Sequence, residues 1–423
     1  MIASPKTVAE KILSAKAHTD AKAGDVVVCD VDWVIGTDAS SPMAIDYFER
    51  MGGDHLFDPS KVVFSFDHYS PPTTPQTKAF HQRVREFVGR HGGTIYDVGE
   101  GISHQVIVER GEVLPGQLVI GADSHTVTCG ALNLFATGVG SSDLAAAMIT
   151  GQIWLRVPET IRIRITGNRP SYVSAKDVAL TMVGMLGGDG VNYMALEFTG
   201  PALAALPLED RLVIANLAVE TGAKAAIFPV DAATWDYLGA RTSERGIPVA
   251  ADEGARYVRE IEIDLSRIGP VVSLPHSPDR VKPIDQAVGE RVDMVFIGTC
   301  TGGRVDDVHD ALAVLREGGS VIAPGVQLVV TPASREVEQR LEADGSLPAL
   351  RAMGATITTP GCGACCGTSG VIPAEGATVL STANRNFKAR MGRASASIYL
   401  ASPAACAASA LTGRITDPRS VAR

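Results

Sequence analysis

Short apolar runs recur along the chain, and each is followed at once by a glycine-rich or polar turn. Runs of this length, rich in valine and isoleucine and bounded by glycine, are typical of buried β-strands. They occupy residues 25–36, 61–68, 117–126 and 293–304, and residues 321–334 are predicted to contain a further pair of strands. Residues 77–92, 141–155 and 305–318 have the apolar spacing of helices. This alternation predicts an α/β fold with mostly parallel sheets.

The 423 residues of the chain are enough for two or three domains. Residues 157–171 alternate apolar and basic side chains, as an antiparallel or edge strand would, and residues 265–283 are rich in proline, as a linker would be. We therefore predict three α/β subdomains, at residues 1–158, 159–275 and 276–423. Because polar residues directly follow several strands, we expect a site at the carboxyl ends of the sheets.

The termini and the overall charge narrow the class of protein. Ser4 and Pro5 predict the start of a helix, and residues 402–413 predict another, capped by Ser402 and ended by Gly413. Neither a secretion signal nor an apolar membrane span is visible, which predicts a cytoplasmic protein. The net charge of −9 argues against a nucleic-acid or anionic-membrane surface.

Seven cysteines without a secretion signal favour a metal or cluster over a disulfide framework. Cys362 and Cys365 form a C-x-x-C pair between glycines, and three interpretations compete: a redox pair, a zinc site and an iron–sulfur cluster. Cys300, at the end of an apolar run in a glycine-rich loop, favours the cluster. The remaining cysteines lack an obvious ligand spacing and are predicted to be mostly buried thiols: Cys29, Cys129, Cys366 and Cys406.

Both cysteine-bearing segments resemble motifs of the aconitase and isopropylmalate isomerase family. IGTCTGGR at 297–304 is similar to the family's I-G-S-C-T-N-G-R, and PGCGACCG at 360–367 to its P-G-C-x-x-C-x-G. The resemblance continues in the family's order through residues 66–68, 101–105, 121–126, 196–200, 384–390 and 402–413. It implies three α/β subdomains around a [4Fe–4S] cluster held by Cys300, Cys362 and Cys365. Gly302 departs from the pattern, since the family usually has asparagine there.

The resemblance also implies a chemistry. An iron without a thiolate ligand would act as a Lewis acid on a hydroxy dicarboxylate, and a positioned acid would protonate the departing hydroxyl. The family's active-site histidines match His68, His104 and His125, each paired with a carboxylate that raises the pKa of the imidazole, namely Asp67, Asp123 and Glu197 in that order. The family's substrate-binding residues match Ser124, Asn384, Arg385 and Arg390.

The chain stops soon after residue 413, where single-chain aconitases carry a further mobile domain with the serine that removes the carbon proton. The resemblance therefore implies the large subunit of a two-subunit hydro-lyase, inactive without a separate small subunit. The expected substrate is 3-isopropylmalate, and the alternatives are the large subunits of homoaconitase, 2,3-dimethylmalate dehydratase and maleate or citraconate hydratase. An iron-sensing, RNA-binding relative and a structural zinc protein are two hypotheses of other classes.

Overall fold

The computed structural model describes residues 4–421 of the chain. The strands in this range form three open sheets and one two-stranded ribbon. The strands are β1 (Val26–Asp30), β2 (Trp33–Thr37), β3 (Val62–Ser65), β4 (Thr94–Tyr96), β5 (Leu118–Gly121), β6 (Phe135–Gly138), β7 (Gln152–Arg156), β8 (Thr160–Thr166), β9 (Ala195–Thr199), β10 (Ala225–Ile227), β11 (Arg259–Asp264), β12 (Val271–Ser273), β13 (Val281–Pro283), β14 (Met294–Gly298), β15 (Gln327–Thr331), β16 (Thr356–Ile357), β17 (Thr378–Ser381) and β18 (Ser397–Ala401). The helices are α1 (Val8–Lys16), α2 (Ser41–Arg50), α3 (Pro75–His91), α4 (Ser103–Glu109), α5 (Ser141–Thr150), α6 (Ala175–Leu186), α7 (Leu208–Ala218), α8 (Ala232–Gly239), α9 (Val305–Glu317), α10 (Arg335–Ala343), α11 (Ser346–Ala352) and α12 (Pro403–Thr412).

The first sheet has the strand order β4-β3-β2-β5-β6, and all of its strands are parallel. The predicted segment 25–36 forms two strands in different places: β2 is central in this sheet, whereas β1 pairs antiparallel with β7 in the ribbon. All five residues of β2 are buried, because helices and turns cover both faces of a parallel sheet. The turns after β3 and β5 carry candidate residues 67–68 and 123–125.

The second sheet, ordered β10-β9-β8-β11, is also entirely parallel. Our prediction that residues 157–171 form an antiparallel or edge strand is wrong, because β8 is an interior strand. Its alternation has another cause: the basic side chains lie on one face and pair with acidic residues of β11. Arg162 contacts Glu260 at 3.1 Å, and Arg164 contacts Glu262 at 2.7 Å.

The third sheet has the strand order β13-β12-β18-β17-β14-β15-β16. Its pairs are parallel except that β12 is antiparallel to both of its neighbours, β13 and β18. The predicted linker 265–283 contains β12 and β13, so it is part of this sheet. The predicted strand pair in 321–334 is wrong, since only β15 forms there and Val321 is 71% exposed. The subdomain boundaries at 158 and 275 stay predictions.

The two terminal helices show how local signals decide where a helix begins. The predicted start of α1 at Ser4 and Pro5 is wrong: the helix begins at Val8, because Thr7 and Glu10 form a reciprocal capping box. The predicted C-terminal helix is confirmed as α12, which ends at the left-handed Gly413. Ser402 is its N-cap residue, as predicted, but its side chain makes no capping hydrogen bond. Within residues 4–421, no helix combines the length and apolar character needed to cross a bilayer.

Candidate active site

Two loops of the third sheet bring three thiols to one place. Cys300 lies in the turn after β14, whereas Cys362 and Cys365 belong to a short 3-10 turn after β16. Cys362 packs against the small buried cluster that contains Cys300. The Asn384 side chain lies 3.4 Å from the sulfur atoms of both Cys300 and Cys365. The structure therefore gathers the three predicted ligands and the predicted Asn384.

N–H groups point at these sulfur atoms. Asn216 Nδ2 donates to Cys300 Sγ at 3.1 Å, and Arg390 Nη2 donates to Cys365 Sγ at 3.5 Å. The charge of Cys365 raises the pKa of Arg390. Burial raises the pKa of Cys300 to about 12. This thiol therefore keeps its proton at neutral pH until a metal displaces it.

The donor set fits a cluster better than a single metal ion. Among residues 4–421, the donor atoms close enough to share one ion are those of Asp67, His68 and Cys362, which all lie within 4.8 Å of one another. Cys300 and Cys365 lie outside that group, as is expected when three thiols surround a body larger than one ion. A structural zinc site would need four close cysteine or histidine ligands, and these residues do not supply them.

Two glycines in the cysteine loops have no room for a side chain. A Cβ atom at Gly363, where φ is +54°, would lie 2.6 Å from Thr331 Oγ1, and one at Gly302 would lie 2.2 Å from Thr382 Cβ. Thr382 Oγ1 accepts a hydrogen bond from the Gly298 N–H at 2.8 Å and donates to the Gly298 carbonyl at 3.0 Å. Thr382 thus fills the space at the position where the family usually has asparagine.

Cys366 is adjacent to Cys365 but has different neighbours. Its sulfur atom lies 2.7 Å from Thr368 Oγ1 and 3.5 Å from the His68 carbonyl oxygen. Cys29, Cys129 and Cys406 are fully buried.

His68 has the carboxylate contact that the resemblance implies. Its Nδ1 atom lies 2.7 Å from Asp67 Oδ1 and 3.9 Å from Cys362 Sγ, and its Nε2 atom lies 3.6 Å from Asp123 Oδ2. Burial by itself would lower the pKa of His68, but the charges of Cys362 and Asp67 raise it well above its usual value. These charges therefore favour the protonated imidazole.

His104 does not have the predicted partner. Neither ring nitrogen makes a hydrogen bond with any described residue, although the side chain is buried. Its predicted pairing with Asp123 is therefore wrong as a hydrogen bond, and Asp123 acts on it only through its charge. Burial outweighs that charge and lowers the pKa of His104 to about 4. This histidine is therefore neutral at neutral pH, and both of its ring nitrogens lack a hydrogen-bond partner among the described residues.

The predicted pairing of His125 with Glu197 is also wrong. His125 Nε2 lies 2.8 Å from Glu220 Oε1, and Glu220 also accepts from Arg385 Nε at 2.8 Å. Glu197 accepts instead from the backbone N–H of Val8 at 3.0 Å and from the Tyr257 hydroxyl at 2.6 Å. Glu197, which belongs to β9, thus joins α1 to the second sheet rather than pairing with His125.

Asp123 lies among the three histidines. Its Oδ1 atom accepts from the backbone N–H of His125 at 2.7 Å and lies 3.5 Å from Nδ1 of the same residue. Burial alone would raise the pKa of Asp123. Its hydrogen bond with His125 and the charges of His125, His104 and His68 instead hold this pKa well below its usual range. Asp123 is therefore an anion whose charge acts on all three imidazoles.

Ser124 opens onto a cavity of about 480 Å³ at the carboxyl edge of the first sheet. Trp154, Tyr193 and Lys224 also line this cavity. Within the described residues, Arg385 uses only Nε in hydrogen bonds with protein atoms. Its two terminal amino groups are therefore available to a carboxylate.

Asn216 and Glu220 are site residues that the sequence did not predict. Both lie on the segment formed by α7 and the 3-10 turn that follows it, four residues apart and therefore on one side. Asn216 is fully buried in an otherwise apolar stretch. A buried amide at such a position is the signal that could have identified this segment.

Asp38 was missed as well. It accepts from the backbone N–H groups of His68 at 3.1 Å and Tyr69 at 2.9 Å. His81 Nε2 lies 2.9 Å from Asp38 Oδ2, the oxygen that also accepts from the Tyr69 N–H. Asp38 lies after β2, so its position at a strand end was the available signal.

Known proteins resemble this chain over nearly all of its length. Residues 10–291 and 286–413 match the aconitase (aconitate hydratase) family. The 3-isopropylmalate dehydratase large subunit 1 of Methanopyrus kandleri is 46% identical, and the match covers 98% of this chain and 99% of the relative. The probable methanogen homoaconitase large subunit of Methanosarcina mazei is 42% identical, with 93% of this chain and 100% of the relative covered.

A solved structure shows the same fold at low identity. Aconitase X from Thermococcus kodakaraensis, in its holo form, superposes with a TM-score of 0.52 at 15% identity, covering 89% of this chain and 88% of that one. The sequence matches extend over almost the whole chain, and the cysteine and histidine loops lie together as that resemblance requires. The chain therefore belongs to the aconitase family.

Proposed function

We propose that the chain is the large subunit of a hydro-lyase that interconverts 3-isopropylmalate and 2-isopropylmalate by removing and re-adding water. The observation that carries this proposal is the convergence of Cys300, Cys362 and Cys365 beside His68, which contacts Asp67 at 2.7 Å. Dehydration needs both a Lewis acid and a proton donor at the departing hydroxyl, and this site offers ligands for the first and a residue for the second. The relatives that are named 3-isopropylmalate dehydratase large subunits support this choice of substrate.

A [4Fe–4S] cluster is the cofactor that the donor set fits, held by Cys300, Cys362 and Cys365. When bound, it would supply an open iron as a Lewis acid for a hydroxyl and a carboxylate. Asn216 and Asn384 would keep their N–H groups directed at the sulfur of Cys300. Such contacts around a ligand orient it and tune the site.

The chain's own residues would donate the proton and bind the substrate. His68, whose pKa is raised beside Asp67, holds the proton that the departing hydroxyl takes up. Arg385 presents its terminal amino groups to a substrate carboxylate, while Glu220 fixes the orientation of the guanidinium through Nε. Arg390 and Ser124 complete the predicted substrate contacts. His104, neutral and without a protein partner, is free to bind substrate or water.

A small subunit would complete the site. Relatives at 40–46% identity are named large subunits, which supports a partner, and we propose that the partner carries the group that removes the carbon proton. The purified chain with its cluster is then expected to have no dehydratase turnover by itself. Full turnover without a partner would contradict this part of the proposal.

Homoaconitase is the second candidate, because a relative with that name matches over 93% of the chain. The test is to co-express the chain with its small subunit, reconstitute the cluster without oxygen, and compare kcat/KM for 3-isopropylmalate and homocitrate. We expect the first to be preferred by at least about tenfold, the difference that ~1.4 kcal/mol of transition-state binding gives. A preference for homocitrate would establish the second candidate, and activity on neither substrate would refute both.

A further inference from the structure

Lys176 lies buried between the segments that carry the thiols. It is the second residue of α6 and is 1% exposed. Its Nζ atom donates to Thr301 Oγ1 at 3.0 Å, to the Thr382 carbonyl at 2.8 Å and to the Ala383 carbonyl at 2.6 Å. Thr301 directly follows Cys300, and Ala383 directly precedes Asn384. One amino group therefore holds both segments together.

The hydrogen-bond geometry shows that this group is an ammonium. Two of its partners are carbonyl oxygens, which only accept, and the Thr301 hydroxyl gives its own hydrogen to the Thr382 carbonyl at 2.8 Å. Three acceptors require three N–H donors, and a lysine side chain has three only when it is charged.

A buried ammonium needs an opposite charge nearby, because removing it from water costs several kcal/mol. None of the ion pairs among residues 4–421 includes Lys176. Burial lowers its pKa to about 8, and the charges that oppose this most strongly are those of Cys300 and Cys365 in their thiolate forms, which metal binding produces. Because its partners Thr301 and Ala383 adjoin Cys300 and Asn384, the thiolates of the cysteine ligands are the counter-charge that its position favours.

We propose that Lys176 is a positioning residue that supplies the buried positive charge facing the thiolate-ligated cluster, while joining the Cys300 loop to the Asn384 segment. This inference rests on the proposed function, since three thiolates around a cluster carry net negative charge. Cluster binding pairs the ammonium with an anion, and cluster loss leaves it unpaired. The charge at Lys176 and retention of the cluster are therefore coupled.

The primary test is Lys176→Gln, which removes the charge but keeps two N–H donors for the carbonyl oxygens. The reconstituted variant is expected to lose its cluster, followed by absorbance near ~400 nm, at least about tenfold faster than the wild type. Its cluster midpoint potential, measured by a redox titration with EPR detection, should become more negative, because a nearby cation favours the reduced cluster. The cluster-free variant should unfold at or above the wild-type temperature, since an unpaired buried charge has been removed.

Arg211→Gln is the matched control. Arg211 is also fully buried, but it pairs with Asp231, so this variant should lose thermal stability while keeping the wild-type potential and retention. If Lys176→Gln does not fold, Thr301→Val removes one acceptor without changing the charge. Its potential should then stay at the wild-type value, and a shift in it would contradict the charge argument.

The outcomes separate this inference from the proposed function. A wild-type chain that takes up no cluster would overturn the proposed function and the inference together. A wild-type chain that loads normally beside a Lys176→Gln variant with the same retention and potential would overturn the inference alone.

Discussion

Replacing Glu220 with glutamine tests the contact that distinguishes the observed site from the predicted one. Glu220 is 8% exposed, and its Oε1 atom lies 2.8 Å from His125 Nε2. Its two carboxylate oxygens accept hydrogen bonds from Arg385 Nε at 2.8 and 3.1 Å. The variant keeps the shape of the side chain and one acceptor oxygen, but it removes the charge. His125 and Arg385 then lose the anion that orients them.

The expected magnitude follows from these contacts. Breaking a buried charged pair costs ~3–5 kcal/mol, and a hydrogen bond to a charged group contributes ~1.5–3 kcal/mol. The Arg385 side chain is 22% exposed, so water replaces part of the loss, and one acceptor survives in glutamine. We therefore expect a loss of about 2 kcal/mol in transition-state binding, which is about 30-fold in kcat/KM. The KM should rise, because Arg385 is proposed to bind a substrate carboxylate.

The matched control is Glu197→Gln, since Glu197 has similar burial, 5% exposed, and also accepts two hydrogen bonds. Steady-state kinetics of both variants, each with its small subunit and equal cluster content, are the assay. Glu197→Gln should keep kcat/KM within about threefold of the wild type. The reasoning is refuted if Glu220→Gln has wild-type kcat/KM, or if the two variants lose activity equally.

The two carboxylates should also differ in how they change stability with pH. The pKa of Glu220 is lowered: burial opposes this, but His125 and Arg385 outweigh it. Its charge therefore stabilises the fold above the unfolded pKa of about 4.5, and this contribution is lost as the pH falls through the lowered folded value. The pKa of Glu197 is raised, mainly by burial, so its contribution is lost as the pH rises through the raised value. In thermal unfolding of the cluster-free variants, the difference between Glu220→Gln and the wild type should shrink as the pH falls below about 4.5. The difference between Glu197→Gln and the wild type should instead change as the pH rises above about 4.5.

Further variants test the thiols, the proton donor and the departure from the family motif. Cys365→Ser should abolish the absorbance near ~400 nm after reconstitution, whereas Cys366→Ser should retain it; the reverse pattern would reassign the ligand. His68→Asn should lower kcat by about 10²–10⁴-fold with the cluster retained, and an unchanged kcat would exclude it as the acid. Gly302→Asn should lower the free energy of unfolding by about 1–3 kcal/mol, because the new side chain would clash with Thr382. Adding Thr382→Ala should recover part of that loss, as measured by denaturant unfolding. Equal stability of Gly302→Asn and the wild type would contradict the clash.

The site residues differ in how far local sequence could predict their contacts. Asp67 and His68 are adjacent in one loop, so the local chain brings their side chains within reach of each other, and the 2.7 Å contact was predictable. The partner of His125 was not, because Glu197 and Glu220 are both distant in sequence. Only the packing of the α7 segment against the turn after β5 places Glu220 Oε1 at 2.8 Å from His125 Nε2. The pKa of His104 likewise depends on its complete burial, which lowers it although a carboxylate lies nearby.

The sequence by itself determined the α/β class, the cysteine loops and the C-terminal helix, because these depend on periodicity, glycine positions and caps that act over a few residues. Tertiary structure alone decided that β8 is an interior strand, since the acidic residues of β11 that pair with its arginines lie about a hundred residues away in the chain. It also decided which carboxylate holds His125 and which ammonium faces the thiols. Those contacts depend on the distance between segments that are remote in sequence, and side-chain type gives no information about that distance.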